Sequence, residues 1–423
     1  MNKILNLFFI KDLRNKVLIV LGLLVVFRIF AAVPIPGIDA EQLKNLFAGN
    51  QLLSFLNLFS GGGLSNLSIA MLGVGPYITA TIIMQLLTMI FPNLKKVYYE
   101  EGAAGRAKFN RYSRYLTVPL AGLQGYGFLN LLISQNVLSS LSPLTMFGDV
   151  MIITAGTMIL VWLGELISEQ KIGNGISLII FAGIVSGLPS TLRLAIADYN
   201  PAVLPGYLAF AVVSVIVIAG VVFINEGERK VPISYARRVR GNKMFGGSSS
   251  YLPLKVNQAG VIPIIFAVSI LLFPQFFGQM IAIFSPSISL LVNEYVTGFL
   301  NNQLLYGASY FLLVVVFTYF YTAVTFDPAE ISKNLQRSGG FIPGIRPGES
   351  TGQFLAKVMS RTTLAGALFL GIVAILPNIT QAMTGLRQLS VGGAALLIVV
   401  AVALETMRQI DSQLTIREYE GIK

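Results

Sequence analysis

The order of apolar and polar stretches constrains this chain more than any single residue does. Apolar runs near the length that carries a helix across a bilayer core recur at 17–33, 72–91, 115–134, 151–168, 176–188, 207–224, 259–274, 304–324, 361–377 and 389–407. Only 12% of the residues are charged and 54% are hydrophobic, too few charges for a soluble protein of 423 residues to cover its surface. Ten-residue segments of alternating polarity, the mark of a transmembrane β-barrel, do not occur. The sequence therefore predicts an all-α integral membrane protein with ten transmembrane helices.

The basic residues test that division. Of the 30 Lys and Arg, only Arg28, Lys44, Arg193 and Arg387 lie off alternate connecting segments, with Arg361 counted at the edge of one. A missed or false span would scramble this alternation, so the positive-inside rule supports ten spans with both termini cytoplasmic. The first run follows Lys3, Lys11, Arg14 and Lys16 and has no small-x-small cleavage site, so it reads as a retained span. Ten spans divide into two groups of five, 1–190 and 191–423, joined by the outer loop near Gly187–Gly206. An odd number per group forces opposite orientations, the arrangement of inverted halves around a central pathway. Segments 92–114, 225–258 and 325–360 are long and cytoplasmic. The outer segment 34–71 is too apolar for open water and is broken by Gly61, Gly62 and Gly63. It is expected to re-enter the membrane as a half-inserted helix, which requires that it line a cavity.

The chain contains no Cys and no His, which removes thiolate and imidazole metal sites, disulfides, cysteine nucleophiles and histidine acid–base chemistry. It has no Walker A sequence, so any energy from ATP must come from another chain. Arg28, Glu165 and Glu405 sit near span ends, where structural pairing is the favoured reading. No cofactor, metal or enzymatic role is expected. A secondary transporter with five-plus-five repeats is an alternative that needs ion-coordinating groups at mid-depth. An intramembrane enzyme would need an acid–base or nucleophile pair there.

Several segments carry more specific patterns. Gly73-Val74-Gly75-Pro76 breaks one helix and begins the next, and Ile78 and Ile82 then share a face. Ile176 and Ile180 form a second such pair after Lys171-Ile172-Gly173-Asn174-Gly175. On composition alone these isoleucines face lipid or other helices. The basic segment from Glu226 to Lys243 alternates around Val231, Ile233 and Tyr235 and predicts an extended hairpin arm. Its cations suit either anionic lipid or a docking partner, and its length and aromatic residues favour docking. Ser338-Gly339-Gly340-Phe341-Ile342-Pro343-Gly344-Ile345-Arg346-Pro347-Gly348-Glu349 predicts a shaped turn presenting Arg346.

Taken together, these residues resemble the SecY family, channel-forming subunits of the bacterial Sec protein translocase, over essentially the whole chain. The resemblance is carried by Gly75-Pro76-Tyr77-Ile78 through Gln85-Leu86-Leu87, by Gly173-Asn174-Gly175-Ile176-Ser177, by Pro253-Leu254-Lys255-Val256-Asn257 with Gly260-Val261-Ile262-Pro263, and by Phe341-Ile342-Pro343-Gly344-Ile345-Arg346-Pro347-Gly348. It implies a protein-conducting channel in the cytoplasmic membrane of a bacterium. The pore ring falls on Ile78, Ile82, Ile176, Ile180, Ile265 and Ile398. The plug falls on Gly61, Gly62, Gly63, Leu64, Ser65, Asn66, Leu67, Ser68, Ile69 and Ala70. A lateral gate between spans 2–3 and 7–8 is expected to use Thr81, Gln85, Gln124 and Asn257. Arg237, Arg238, Arg240, Lys243 and Arg346 are the expected docking residues. The implied partners are SecE, SecG, the SecA motor ATPase, the ribosome, signal peptides, unfolded preproteins and membrane lipids, with no DNA.

Overall fold

The structure, a computed structural model, describes residues 10–35, 57, 60–64, 66–99, 101–134, 138, 141–197, 204–235, 238–240, 243–245, 249–281, 286–384 and 392–419. The chain runs through α1 (Lys11–Ala32), α2 (Gly75–Ile90), α3 (Pro92–Tyr99), α4 (Gly102–Ser134), α5 (Pro143–Glu169), α6 (Gly175–Ala197) and α7 (Leu204–Glu226). Four strands follow: β1 (Glu228–Tyr235), β2 (Arg238–Arg240), β3 (Lys243–Phe245) and β4 (Ser249–Lys255). The remainder is α8 (Ile262–Ile281), α9 (Pro286–Asn301), α10 (Gln303–Thr325), α11 (Pro328–Arg337), β5 (Gly340–Phe341), α12 (Glu349–Thr384) and α13 (Gly392–Tyr419).

All ten apolar runs fall on helices. Among the described residues, six helices are long and apolar enough to cross a membrane, or seven if α2 and α3, bent by 114°, count as one span. Polar residues fix several helix starts. The Ser142 side chain accepts from Thr145 N ahead of Pro143, and Asn302 accepts from the amides of Leu304 and Leu305. Asp327 does the same for Ala329 and Glu330 at α11.

Three features differ from the sequence-based expectation. Helices α4 and α12 begin at Gly102 and Glu349, several turns before their apolar runs, because hydropathy does not register a charged helical turn. Helix α9 fills part of the expected outer loop after span 7. Of the outer segment 34–71 expected to re-enter as a helix, residues 36–56, 58, 59 and 65 lie outside the described residues, and its inner part is a chain of turns at 60–64 and 66–74. Positive φ angles at Gly61 (66°), Gly62 (81°), Leu67 (41°) and Gly73 (57°) are incompatible with a continuous right-handed helix.

The principal helix contacts fall into two groups with two seams between them. Helix α4 packs on α2 and α5, and α5 on α6 and α1; separately, α10 packs on α8 and α12, and α13 on α7 and α12. The groups meet where α8 lies against α2 and α4, and where α13 lies against α6. At one end, β1 is the middle strand of the sheet β4-β1-β5. It is antiparallel to β4 from Glu228↔Lys255 to Ser234↔Ser249, and to β5 at Ser234↔Phe341 and Tyr235↔Gly340. Val231 and Ile233 point inward, at 3% and 4% exposed. Val231 joins Leu254, Phe326, Ile342, Leu355 and Met359 in a small core that fixes the sheet to α12.

Candidate functional site

Three layers can be read along α6. Its start is tightly built: Gly175 N donates to Ser168 Oγ (2.9 Å), and Ser177 N donates to Asn174 Oδ1 (3.2 Å). A side chain at Gly175 would collide with the Gly164 carbonyl, 1.8 Å from its Cβ position, so only glycine lets α6 leave α5 at this distance. Asn174 and Ser177 then line a cavity of about 260 Å³, whose rim also includes Asn225, Lys255, Asn257, Gln258, Glu405 and Arg408. One turn deeper, Ile180 forms its floor together with Ile265, Ile398, Val261 and Val402. Three residues further, Gly183 meets Gly61 of the turn segment. At 1.5 Å per residue, rim and turn segment are separated by roughly 9 Å along the helix.

The six expected ring residues largely converge. Ile180 and Ile398 are each 1% exposed and belong to one buried apolar cluster, against which Ile78, Ile176 and Ile265 pack. Ile82, 4% exposed, sits in the neighbouring cluster built by α7, α8, α10 and α12, and Ile78 packs against both clusters. Ile176 leans on α5, its Cδ1 lying 2.6 Å from the Cβ position of Gly164.

The segment 61–70 lies beneath this floor. Ala70 and Val74 join the same cluster as Ile180 and Ile398, while Leu64, Leu67 and Met71 pack on α4 and α5. Ile69 fits against Gly156 of α5, whose Cβ position is 2.0 Å from the Ile69 carbonyl oxygen. Ser60, Leu64, Leu67, Ser68 and Ala70 are all at most 2% exposed. Ser65 lies outside the described residues.

The expected gate residues divide. Asn257 Nδ2 donates to Asn225 Oδ1 (2.8 Å) and to the Gly260 carbonyl (3.1 Å), both on its own side of the seam. Thr81 Oγ1 donates to the Tyr77 carbonyl of its own helix (2.9 Å). Gln85 is 8% exposed, and its Oε1 has no hydrogen-bond partner among the described residues. Gln124 is half-buried on α4. Asn225 escaped sequence reasoning because nothing marks it except a polar residue near the end of an apolar run.

Two ion pairs join helices. Arg114 and Glu165 pair at 2.8 Å. Arg408 bonds the Asn225 carbonyl (2.6 Å) and pairs with Glu226 (2.6 Å), tying α13 to α7 at the cavity rim. Among the docking residues, Arg238, Arg240 and Lys243 stand on the paired strands β2 and β3, and Arg237 lies outside the described residues. Arg346 is exposed on a loop held from beneath: Ser332 Oγ donates to the Gly348 carbonyl (2.5 Å), and Thr351 Oγ1 to the Arg346 carbonyl (3.0 Å).

A bundle of apolar helices around a polar-rimmed cavity with an apolar floor defines a polytopic helical membrane protein of the channel or transporter kind. Comparison with known proteins narrows this. The SecY family model matches residues 68–407. The protein translocase subunit SecY of Corynebacterium glutamicum is 41% identical over 445 residues, covering 100% of both chains. A solved structure of a protein conducting channel superposes with a TM-score of 0.62 at 20% identity, covering 93% of this chain and 91% of the other. A SecY structure concerned with the plug domain and the closed state of the translocation channel gives 0.58 at 19% identity, over 92% and 89%. The chain belongs to the SecY family. It is a subunit of a protein translocase and not an enzyme.

Proposed function

We propose that the chain is a passive protein-conducting channel, closed by the isoleucine cluster and by a plug at residues 61–70. The observation that carries this reading is the sequence of layers along α6: polar rim, isoleucine floor, turn segment. A wet path that passes polypeptide must not leak ions, and a dry apolar constriction gates by dewetting. Ile78, Ile82, Ile176, Ile180, Ile265 and Ile398 form the ring. In this reading ten helices cross the cytoplasmic membrane of a bacterium with both termini inside, as inverted halves 1–190 and 191–423.

The seam of α8 against α2 and α4 is the lateral gate. Asn257 and Thr81 bond within their own sides, so neither ties the seam, and apolar packing contributes to holding it closed. The unpaired Gln85 Oε1 adds a local cost of about 1–3 kcal/mol that an entering signal peptide could relieve. Gln124 completes the gate residues. The arm with Arg237, Arg238, Arg240 and Lys243, and the Arg346 loop, dock the SecA motor or the ribosome, which drive transport. SecE and SecG complete the complex.

The test is electrical. Ile180→Ser combined with Ile265→Ser and Ile398→Ser should raise resting ion conductance of the assembled translocase in planar bilayers. A stalled secretory chain should crosslink to probes at positions 82 and 180. Unchanged conductance and no crosslink would remove the seal from these residues.

A further inference from the structure

We infer that Arg28 of α1 is a latch that keeps the plug seated by bonding its main chain. The inference rests on the reading of residues 61–70 as the plug. Arg28 is a cation in an apolar helix, where charge is costly unless it is paired or reaches water. Its position near the span end would let it snorkel, but its Nη1 instead donates to the Gly61 carbonyl. The neighbouring Phe27, 1% exposed, walls in the same residue. A Cβ at Gly61 would lie 2.7 Å from Phe27 Cζ and 3.0 Å from Gly183 Cα. The bonded carbonyl and the closed space are independent observations that fix the segment at one point.

The other end is tied to the continuation of α1. Ile35 N donates to the Leu67 carbonyl (2.8 Å) and Ile69 N to the Val33 carbonyl (3.0 Å), an antiparallel bridge that sets Pro34 opposite Ser68. Both ends of the segment are therefore held by α1 and the residues just after it, through main-chain atoms. Of these three bonds only the Arg28 bond is charge-assisted, and such bonds are roughly twice as strong as neutral ones. The dependence is mutual. If the plug leaves, Arg28 loses its acceptor, and a cation is left in an apolar span until water reaches it. Opening is thus coupled to wetting of the path, which an arriving polypeptide brings with it.

The experiment uses the assembled translocase in planar bilayers. Arg28→Gln should make spontaneous openings about tenfold more frequent, the size expected from losing one charge-assisted hydrogen bond. Arg28→Lys keeps the charge but not the planar fork and should fall between. A lock separates plug movement from general damage. Pro34 and Ser68 face each other as a non-hydrogen-bonded pair, with Cα atoms about 4.5 Å apart in such geometry, and the chain has no cysteine of its own. In Arg28→Gln carrying Pro34→Cys and Ser68→Cys, oxidation should silence the openings and reduction should restore them. If Arg28→Gln is quiet while removal of residues 61–70 leaks, the latch is overturned and the plug stands. If neither leaks, the plug reading fails and takes the latch with it. Openings that persist after oxidation also overturn the latch. Should Arg28→Gln not assemble, Gly61→Ala, which cannot fit beside Phe27, must give the same leak cured by oxidation or the latch falls.

Discussion

The proposed plug and the Arg346 loop are both glycine-rich segments fastened through carbonyl groups, yet Gly63 in the first and Gly344 in the second are glycine for opposite reasons. At Gly63, space decides. A Cβ at Gly63 would meet Ser68 Oγ at 2.8 Å and the carbonyl oxygens of Ala70 and Ser60 at 3.0 Å, although its φ is not positive. At Gly344, angle decides. Gly344 has φ of 81° with nothing within 4 Å of its Cβ position. A seat as crowded as that of Gly63 suits a seal, whereas an open, bent position such as Gly344 suits a surface that another molecule must reach.

This contrast can be broken by experiment, beginning with the largest effect. Arg346→Glu should abolish stimulation of the motor ATPase while membrane insertion of the chain stays normal, because the side chain is exposed and its backbone is held independently. Normal translocation by that variant would remove the loop from docking. Next, Gly63→Ala should unseat the plug and raise resting conductance, while leaving motor stimulation at the parental level. A quiet Gly63→Ala channel would mean that the plug tolerates crowding and that space is not what fixes it. The smallest effect is expected at Gly344, where Ala pays only the left-handed backbone penalty of about 1–2 kcal/mol. Gly344→Asn should recover most of that loss, since Asn enters this region more easily. Docking affinity, measured for both variants, checks the order; equal weakening by Ala and Asn would show that side-chain volume matters there after all.

Much of the architecture was legible because burial in lipid writes itself as long apolar runs, and each run does become a helix. What stayed hidden had weaker physical signatures. Helix α9 carries Asn293 and Glu294 within a 16-residue stretch, too short and too polar to read as a span. The early part of α4 carries Arg106, Lys108, Arg111 and Arg114, and that of α12 carries Glu349 and Lys357, so hydropathy gave no sign of them. The break at Gly61-Gly62-Gly63 was legible, but not the form of the turns after it, since a left-handed Leu67 is set by its surroundings and not by its own preference. The convergence of Ile180, Ile265 and Ile398 came from the family resemblance; spacing alone left lipid as the better guess. Asn225 and Arg28 take their importance from partners 32 and 33 residues away in sequence, a distance no local pattern spans.

The middle position of β1 has a mechanical consequence. Its partner β4 leads into α8 through residues 256–261 only, and on the way Val256 N bonds the Gly227 carbonyl (2.9 Å) while Asn257 bonds Asn225. On the other edge, β5 carries the chain toward Arg346. A pull or push on the hairpin is therefore shared between the loop and the first turn of α8, in the manner of a crank with two arms. Whatever grips the arm also applies torque to the helix that lines the seam.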